Sequence, residues 1–133
     1  MKIQELKTRV RYQETDQMGV VYYANFFVYF EMGRTEYLRN LGLPYSELEK
    51  EEIYFPVVDA RCRFRSPAFY DDILIIQTWV SGLKRSTIEF SYRVLRECES
   101  RLIVEGSTKL ACLNARRKIS SMPEKLRKLL SCD

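Results

Sequence analysis

Histidine is missing from all 133 residues of this chain. That removes every catalytic dyad or triad built on imidazole, every histidine-containing zinc site and every imidazole acid or base. Any chemistry falls to carboxylates, thiols, hydroxyls, amines or the backbone. Glycine (5) and proline (4) are scarce, and neither gathers into a linker. With no repeat and no low-complexity segment either, one domain over residues 1–133 is expected. The four cysteines, Cys62, Cys98, Cys112 and Cys132, show no C-x-x-C spacing. The chain begins MKIQELKTRV without an apolar signal core, so reduced thiols in a cytoplasmic protein are expected rather than a disulfide framework. The most apolar stretch, residues 19–30, is too short to span a bilayer, so no membrane span is expected.

What remains is a globular composition, 46% hydrophobic and 30% charged, which argues against disorder or a fibre. A net charge of +4 suits an anionic ligand such as a nucleotide or coenzyme. It is too small a bias to indicate nucleic acid.

Hydrophobic spacing gives the organisation. Leu6, Thr8, Val10 and Tyr12 alternate with Lys7, Arg9 and Arg11, which is strand periodicity, and a polar connection over residues 13–21 follows. From Tyr22 to Gly42 the period becomes helical, with Tyr23, Phe26, Phe27, Phe30, Tyr37, Leu38 and Leu41 on the apolar side and Gly42 where a left-handed cap is wanted. Tyr22, Ala24, Val28 and Tyr29 make the first two turns apolar on every face, so other structure is expected to surround them. A short helix is expected near Pro44 to Lys50. Strands follow over Ile53–Phe64, Ile73–Val80, around Ile88–Val94 and over Leu102–Cys112, before a terminal helix opened by Ser121-Met122-Pro123-Glu124. One strand, a long helix and then about four strands without crossover helices predict an α+β fold, an antiparallel sheet curled around one helix.

Tyr12 to Asn25, YQETDQMGVVYYAN, carries the most chemical information. Asp16 lies in a loop that leads through Gly19 to the start of the helix. A helix start exposes N–H groups without intrahelical partners and carries partial positive charge, which stabilises an anion or a carbonyl oxygen becoming one. A carboxylate beside such donors could attack that carbonyl or deprotonate water. The two parts together suit acyl transfer. Spacing alone equally fits an aspartate that only caps a turn.

The run Arg9 to Phe27, RVRYQETDQMGVVYYANFF, resembles the signature of the 4-hydroxybenzoyl-CoA thioesterase family (YbgC-type acyl-CoA thioesterases) of the hotdog fold, through Thr15, Asp16, Gly19, Val20, Val21, Ala24 and Asn25. The helix continuation, Phe30 to Leu38, is also similar to the family's, as are the segments Arg65–Asp72 and Lys84-Arg85-Ser86. The resemblance implies an acyl-CoA thioesterase with Asp16 as the catalytic carboxylate and the backbone N–H at Tyr23 polarising the thioester carbonyl. Many YbgC-type members have histidine where this chain has Tyr23; a backbone role survives that change, and a side-chain role does not. The resemblance further implies contacts from Lys84, Arg85 and Ser86 to coenzyme A phosphates, and a pocket at a subunit interface. No metal and no redox cofactor are expected, coenzyme A being part of the substrate.

Other residues have two readings. Tyr22, Tyr23, Phe26 and Phe27 would line an acyl pocket or serve as core aromatics. Asn25, polar in an apolar setting, needs partners and would fix the Asp16 loop. Arg61, Arg63 and Arg65 share a strand face that would bind phosphate or pair across an interface, and Glu31, Arg34 and Glu36 would pair on the helix surface or approach the site. Cys62 and Cys112 read as small buried residues and Cys132 as exposed; a thiol nucleophile lacks a neighbouring base. A curled sheet leaves an edge strand, so a homodimer joined edge to edge is expected, within a dimer of dimers (a homotetramer). Competing readings are a non-catalytic hotdog protein that binds acyl-CoA or an acyl carrier, and an anion- or RNA-binding module using the Arg61/Arg63/Arg65 face.

Overall fold

The computed structural model describes residues 2–131, so Cys132 lies outside the described residues. Five strands form one sheet: β1 (Gln4–Arg9), β2 (Val57–Phe64), β3 (Ile73–Leu83), β4 (Thr87–Arg96) and β5 (Arg101–Ala111). Their order is β1-β3-β4-β5-β2 and every neighbouring pair is antiparallel. Helix α1 (Asn25–Asn40) crosses one face, with α2 (Tyr45–Lys50) and α3 (Glu124–Ser131) beside it. This is the expected α+β hotdog architecture. The near-continuous apolar run from Ile73 becomes an interior strand with neighbours on both sides.

Period-2 alternation puts Leu74, Ile76 and Thr78 of β3 and Ile88, Phe90, Tyr92 and Val94 of β4 on the helix side, all buried. Opposite them α1, about 24 Å long at 1.5 Å per residue, presents Phe26, Tyr29, Phe30, Gly33, Tyr37 and Leu38. Phe30 stacks on Tyr92 with ring centroids 4.3 Å apart and planes 5° from parallel. Burial of each such ring stabilises the fold by about 1.5–3 kcal/mol. The edge of Phe30 reaches β5 only because residue 106 is glycine. A Cβ there would lie 2.7 Å from the Phe30 ring and 2.3 Å from the Arg61 carbonyl oxygen. Beyond the helix's last residue, Asn40, and its cap Leu41, Gly42 has a φ of +82°, the expected left-handed position.

Two expectations are corrected. The helix begins at Asn25 rather than Tyr22, because Tyr22–Ala24 form a turn in which the Tyr22 N–H is already committed to the Glu14 carbonyl (2.9 Å). Nor is the start of α1 enclosed on every side: Tyr22, Tyr23, Ala24 and Val28 are exposed. The physical reason is the sheet edge. β2 closes the sheet on that side, and its own Val57, Val58, Ala60 and Phe64 are exposed too, so the apolar surface has no cover among the described residues. Tyr23 and Phe64 meet edge to face there, 6.3 Å apart.

Arg34 also departs from the helix surface. It turns inward toward the hydroxyls of Tyr45 and Tyr92, while Glu36 pairs with Arg39 and Glu31 accepts a hydrogen bond from Thr35.

Candidate active site

The connection after β1 makes a single 3-10 turn, Tyr12–Glu14, and then a tight hairpin. Thr15 bridges Val21, and the Asp16 N–H donates to the Val20 carbonyl (2.9 Å). The chain reverses over Asp16-Gln17-Met18-Gly19, closed by the Gly19 N–H on the Asp16 carbonyl (3.0 Å). Gly19 has φ +79°, a conformation that costs glycine no Cβ clash. Inside the turn Asp16 Oδ1 accepts the Met18 N–H at 2.9 Å and the Val20 N–H at 3.4 Å. Asp16 is therefore a turn-capping residue through one oxygen only. Oδ2 accepts no hydrogen bond among the described residues.

The hairpin is docked from outside. The Val21 N–H donates to the Ala68 carbonyl (2.8 Å) and Val20 bridges Phe69. Residues 67–72 are in turn gripped by Arg96, which donates to Asp72 Oδ2 (3.0 Å) and the Pro67 carbonyl (2.6 Å), lies 5.6 Å over the Phe69 ring and pairs with Glu99. Residues 67–72, part of the segment similar to the family's, thus support the Asp16 loop.

Tyr22, Tyr23 and Ala24 lead into α1. The Tyr22 N–H serves Glu14, and those of Asn25, Phe26 and Phe27 close turns onto the carbonyls of Tyr22, Tyr23 and Ala24 (2.9–3.2 Å). The N–H groups of Tyr23 and Ala24 find no acceptor among the described residues. Asn25 does tie the loop to the helix, its Nδ2 donating to the Glu14 carbonyl at 2.8 Å. Phe26 is buried against Tyr29 and Phe64 and reads as core. Tyr22 and Tyr23 lie at the surface with rings 4.9 Å apart.

The structure thus brings Asp16, Gly19, Tyr22, Tyr23, Asn25 and Phe26 into one unit. Lys84, Arg85 and Ser86 are elsewhere: they form the β3–β4 hairpin, held by α3 and the segment after β5 through the Arg127 guanidinium on the Lys84 carbonyl (2.7 Å) and the Cys112 N–H on the Ser86 carbonyl (2.8 Å). The Asp16 hairpin docks at the start of β3, so the whole strand, roughly 36 Å at 3.3 Å per residue, separates the two groups within a chain.

The Arg61/Arg63/Arg65 face is the outer face of the sheet. Arg61 pairs with Asp59 (3.1 Å) and Arg65 with Glu105 (2.9 Å), the latter holding the Glu105 carboxyl below its usual range. Arg61, Arg63 and Arg93 border a shallow groove of about 460 Å³ with Trp79. Burial pushes the Cys62 thiol up to about 11 and raises that of Cys112, away from nucleophilic use at neutral pH.

Glu14 carries no weight in a reading of the sequence, yet it is buried at the root of the hairpin with Arg11 and Tyr29 around it. The only signal for it is the R-x-x-E spacing of Arg11 and Glu14 beside the aspartate, which many exposed turns share.

No helix among the described residues is long and apolar enough to cross a membrane, and no cluster of three acidic or thiol side chains there could hold a metal ion. Residues 10–130 match the thioesterase-like superfamily. The acyl-CoA thioesterase YbgC of Haemophilus influenzae is 36% identical over 107 residues, covering 80% of this chain and 77% of that protein. Among solved structures, the hypothetical protein TT1821 of Thermus thermophilus superposes with a TM-score of 0.92 at 36% identity, over 96% of this chain and 97% of the other. The DHNA-CoA thioesterase of Staphylococcus aureus superposes at 0.91 with 28% identity, over 99% and 91% of the two chains.

Proposed function

The chain belongs to the thioesterase-like superfamily and is a thioester hydrolase, and from that premise we propose that it hydrolyses acyl-CoA with Asp16 as its reacting carboxylate. Water and acyl-CoA give the free acid and CoA-SH. One observation carries the mechanism: a carboxylate with one oxygen pinned and the other unengaged shares a hydrogen-bonded unit with two amide N–H groups that lack acceptors. The Tyr23 N–H, with that of Ala24, receives the thioester carbonyl oxygen as it gains negative charge. Asp16 Oδ2 either takes a proton from the attacking water or attacks the carbonyl carbon itself. In the first route the proton passes to the departing CoA sulfur. In the second, the C–S bond breaks as CoA leaves as its thiolate, water then cleaves the acyl–Asp16 anhydride to free acid and carboxylate, and the proton released by that water converts the thiolate to CoA-SH. One oxyanion donor contributes roughly 3–4 kcal/mol, and positioning adds several more. A thioester is already activated, so this sparse set is sufficient. No step needs a metal or redox cofactor.

The reading includes a dimer built on β2. Its unpaired edge carries exposed Val57 and Val58 at one end and exposed Phe64, beside Tyr23, at the other, and an antiparallel partner strand would satisfy the edge and cover the apolar surface. A two-fold axis through β2 sets one chain's Val57 end, where the Lys84–Ser86 hairpin lies, beside the partner's Phe64 end, where Asp16 lies. Phosphate contacts from Lys84, Arg85 and Ser86 would then come from the neighbouring chain, and two such dimers would make the tetramer. Three free thiols among the described residues suit a cytoplasmic setting.

A panel of aliphatic and aromatic acyl-CoA esters tests the activity, with CoA release followed against an enzyme-only blank for the protein's own four cysteines. Turnover of at least one ester class is expected. Binding without turnover across the panel would replace the enzyme by a non-catalytic acyl-CoA binder.

A further inference from the structure

Glu14 is the one carboxylate buried among the described residues, at 8% exposure, and the chemistry above does not use it. A carboxylate taken out of water costs free energy unless donors surround it. Here they do. Oε1 accepts the Arg11 N–H at 2.8 Å and the Tyr29 hydroxyl at 3.0 Å; Oε2 accepts Arg11 Nε at 3.2 Å and Nη2 at 3.1 Å. Its main-chain carbonyl accepts Asn25 Nδ2 at 2.8 Å and the Tyr22 N–H at 2.9 Å. Burial and the adjacent carboxylate hold the Tyr29 phenol far above its ordinary range, so it is a donor at every working pH.

We propose that Glu14 is a positioning residue for thioester hydrolysis, one that fixes the Asp16 turn against the start of α1 by holding the helix at two heights. The proposal rests on the role of Asp16 given above and states what keeps the two halves of that site in register. Asn25 and Tyr29 are four residues apart, about 6 Å along the helix axis. A single attachment would act as a pivot; the carbonyl at Asn25 and the carboxylate at Tyr29 together set both distance and tilt. The path from Glu14 to the reacting groups is short on each side. Thr15 is bridged to Val21, so movement of Glu14 carries the Asp16 turn with it. Tyr22, bonded to the Glu14 carbonyl, immediately precedes the unengaged N–H of Tyr23. Arg11 has a distinct part. It balances the Glu14 charge, which would otherwise oppose an oxyanion forming at the same helix end.

A purely structural glutamate would lower stability when replaced and leave the folded protein's chemistry alone. Positioning predicts a different result, since displacement of a reacting group by about 1 Å costs on the order of 10²-fold in rate. Two variants probe the clamp from opposite ends. Glu14→Gln keeps length and one acceptor but turns an amide donor toward Arg11; Tyr29→Phe removes the helix-side donor without altering the turn. At temperatures well below each melting point, Glu14→Gln should lower kcat about 10- to 100-fold with KM within about threefold, and Tyr29→Phe should lower it by a smaller factor. Placed in an Asp16→Asn background, Glu14→Gln should add less than about threefold, because it acts through the group already lost. An unchanged kcat in folded Glu14→Gln, or a full multiplicative loss in the Asp16→Asn background, overturns the proposal. If Glu14→Gln does not fold, Tyr29→Phe decides alone: wild-type kcat refutes the clamp and a selective kcat loss upholds it. Full turnover in Asp16→Asn would instead remove the catalytic reading itself, a distinguishable failure.

Discussion

Replacing Asp16 by asparagine separates the two jobs that its carboxylate holds. Oδ1 accepts the Met18 N–H at 2.9 Å inside the turn, and an asparagine Oδ1 can do the same, so the hairpin should survive. The bond passes from a charged to a neutral acceptor, a loss of about 1 kcal/mol, which for a domain of this size lowers the melting temperature by only a few degrees. Oδ2 becomes an amide nitrogen with no basicity and no nucleophilicity. Loss of a positioned base costs about 10²–10⁴ in rate, equivalent to roughly 2.7–5.5 kcal/mol in activation free energy. The rate effect should therefore exceed the stability effect several-fold in free energy, and unfolding cannot account for it. The assay is steady-state hydrolysis of the best acyl-CoA ester, with circular dichroism melting of the same preparation. KM should move little, because the thioester carbonyl still meets the helix start. Turnover within threefold of the unaltered protein, in a variant that melts normally, would refute the assignment.

Other expectations follow from particular contacts. Gly106→Ala should destabilise the fold by about 1–3 kcal/mol or more in urea unfolding, since its Cβ would sit 2.3 Å from the Arg61 carbonyl oxygen, which belongs to a paired strand and cannot swing away; a change below about 0.5 kcal/mol would contradict the packing described. Tyr23→Phe should keep kcat within about threefold, because the amide rather than the phenol is the proposed donor and the side chain is 58% exposed; a loss of 10²-fold or more would transfer the role to the hydroxyl. Alkaline stability should fall. Burial raises Cys62 from 9.0 to about 11 and Tyr92 from 10.0 to about 12, so the unfolded chain releases these protons first. Their contribution is complete below pH 9 and is lost as the pH climbs through 11 and 12; denaturant midpoints at pH 8 and pH 10.5 measure it. In a Cys132→Ser background at pH 8, exposed Cys98 should react with a thiol reagent well before Cys62 and Cys112.

The fold was legible because its elements obey simple periods. The apolar run of β3, the alternation in β4 and the 3.6-residue spacing from Phe26 to Leu38 survive into the structure, and so does the left-handed position at Gly42. Legibility stopped where burial depends on strand order. An apolar-all-round start to α1 implies cover on every side, but β2 is an edge strand, and Val28 and Tyr23 face an opening that local sequence cannot reveal. The Asp16 loop could be located from its residues, and Asn25 could be expected to brace it, since a polar side chain among aromatics needs partners. Glu14 could not, because one more acidic residue in a polar connection has no periodicity, and its burial arises only when Tyr29 arrives from the facing helix. The Lys84-Arg85-Ser86 hairpin shows the opposite limit. The family resemblance implies a phosphate contact there, and only the topology discloses that the hairpin lies a full strand length from Asp16 in its own chain.

That separation has a consequence for how the protein should behave in dilute solution. If the basic hairpin and the Asp16 turn must both touch one coenzyme A ester, neither copy alone can do so, and specific activity becomes a readout of assembly. Lowering the protein concentration past the dissociation point should depress the rate per molecule, a deficit that mixing two differently disabled copies, one altered at Asp16 and one at Lys84 and Arg85, would partly restore.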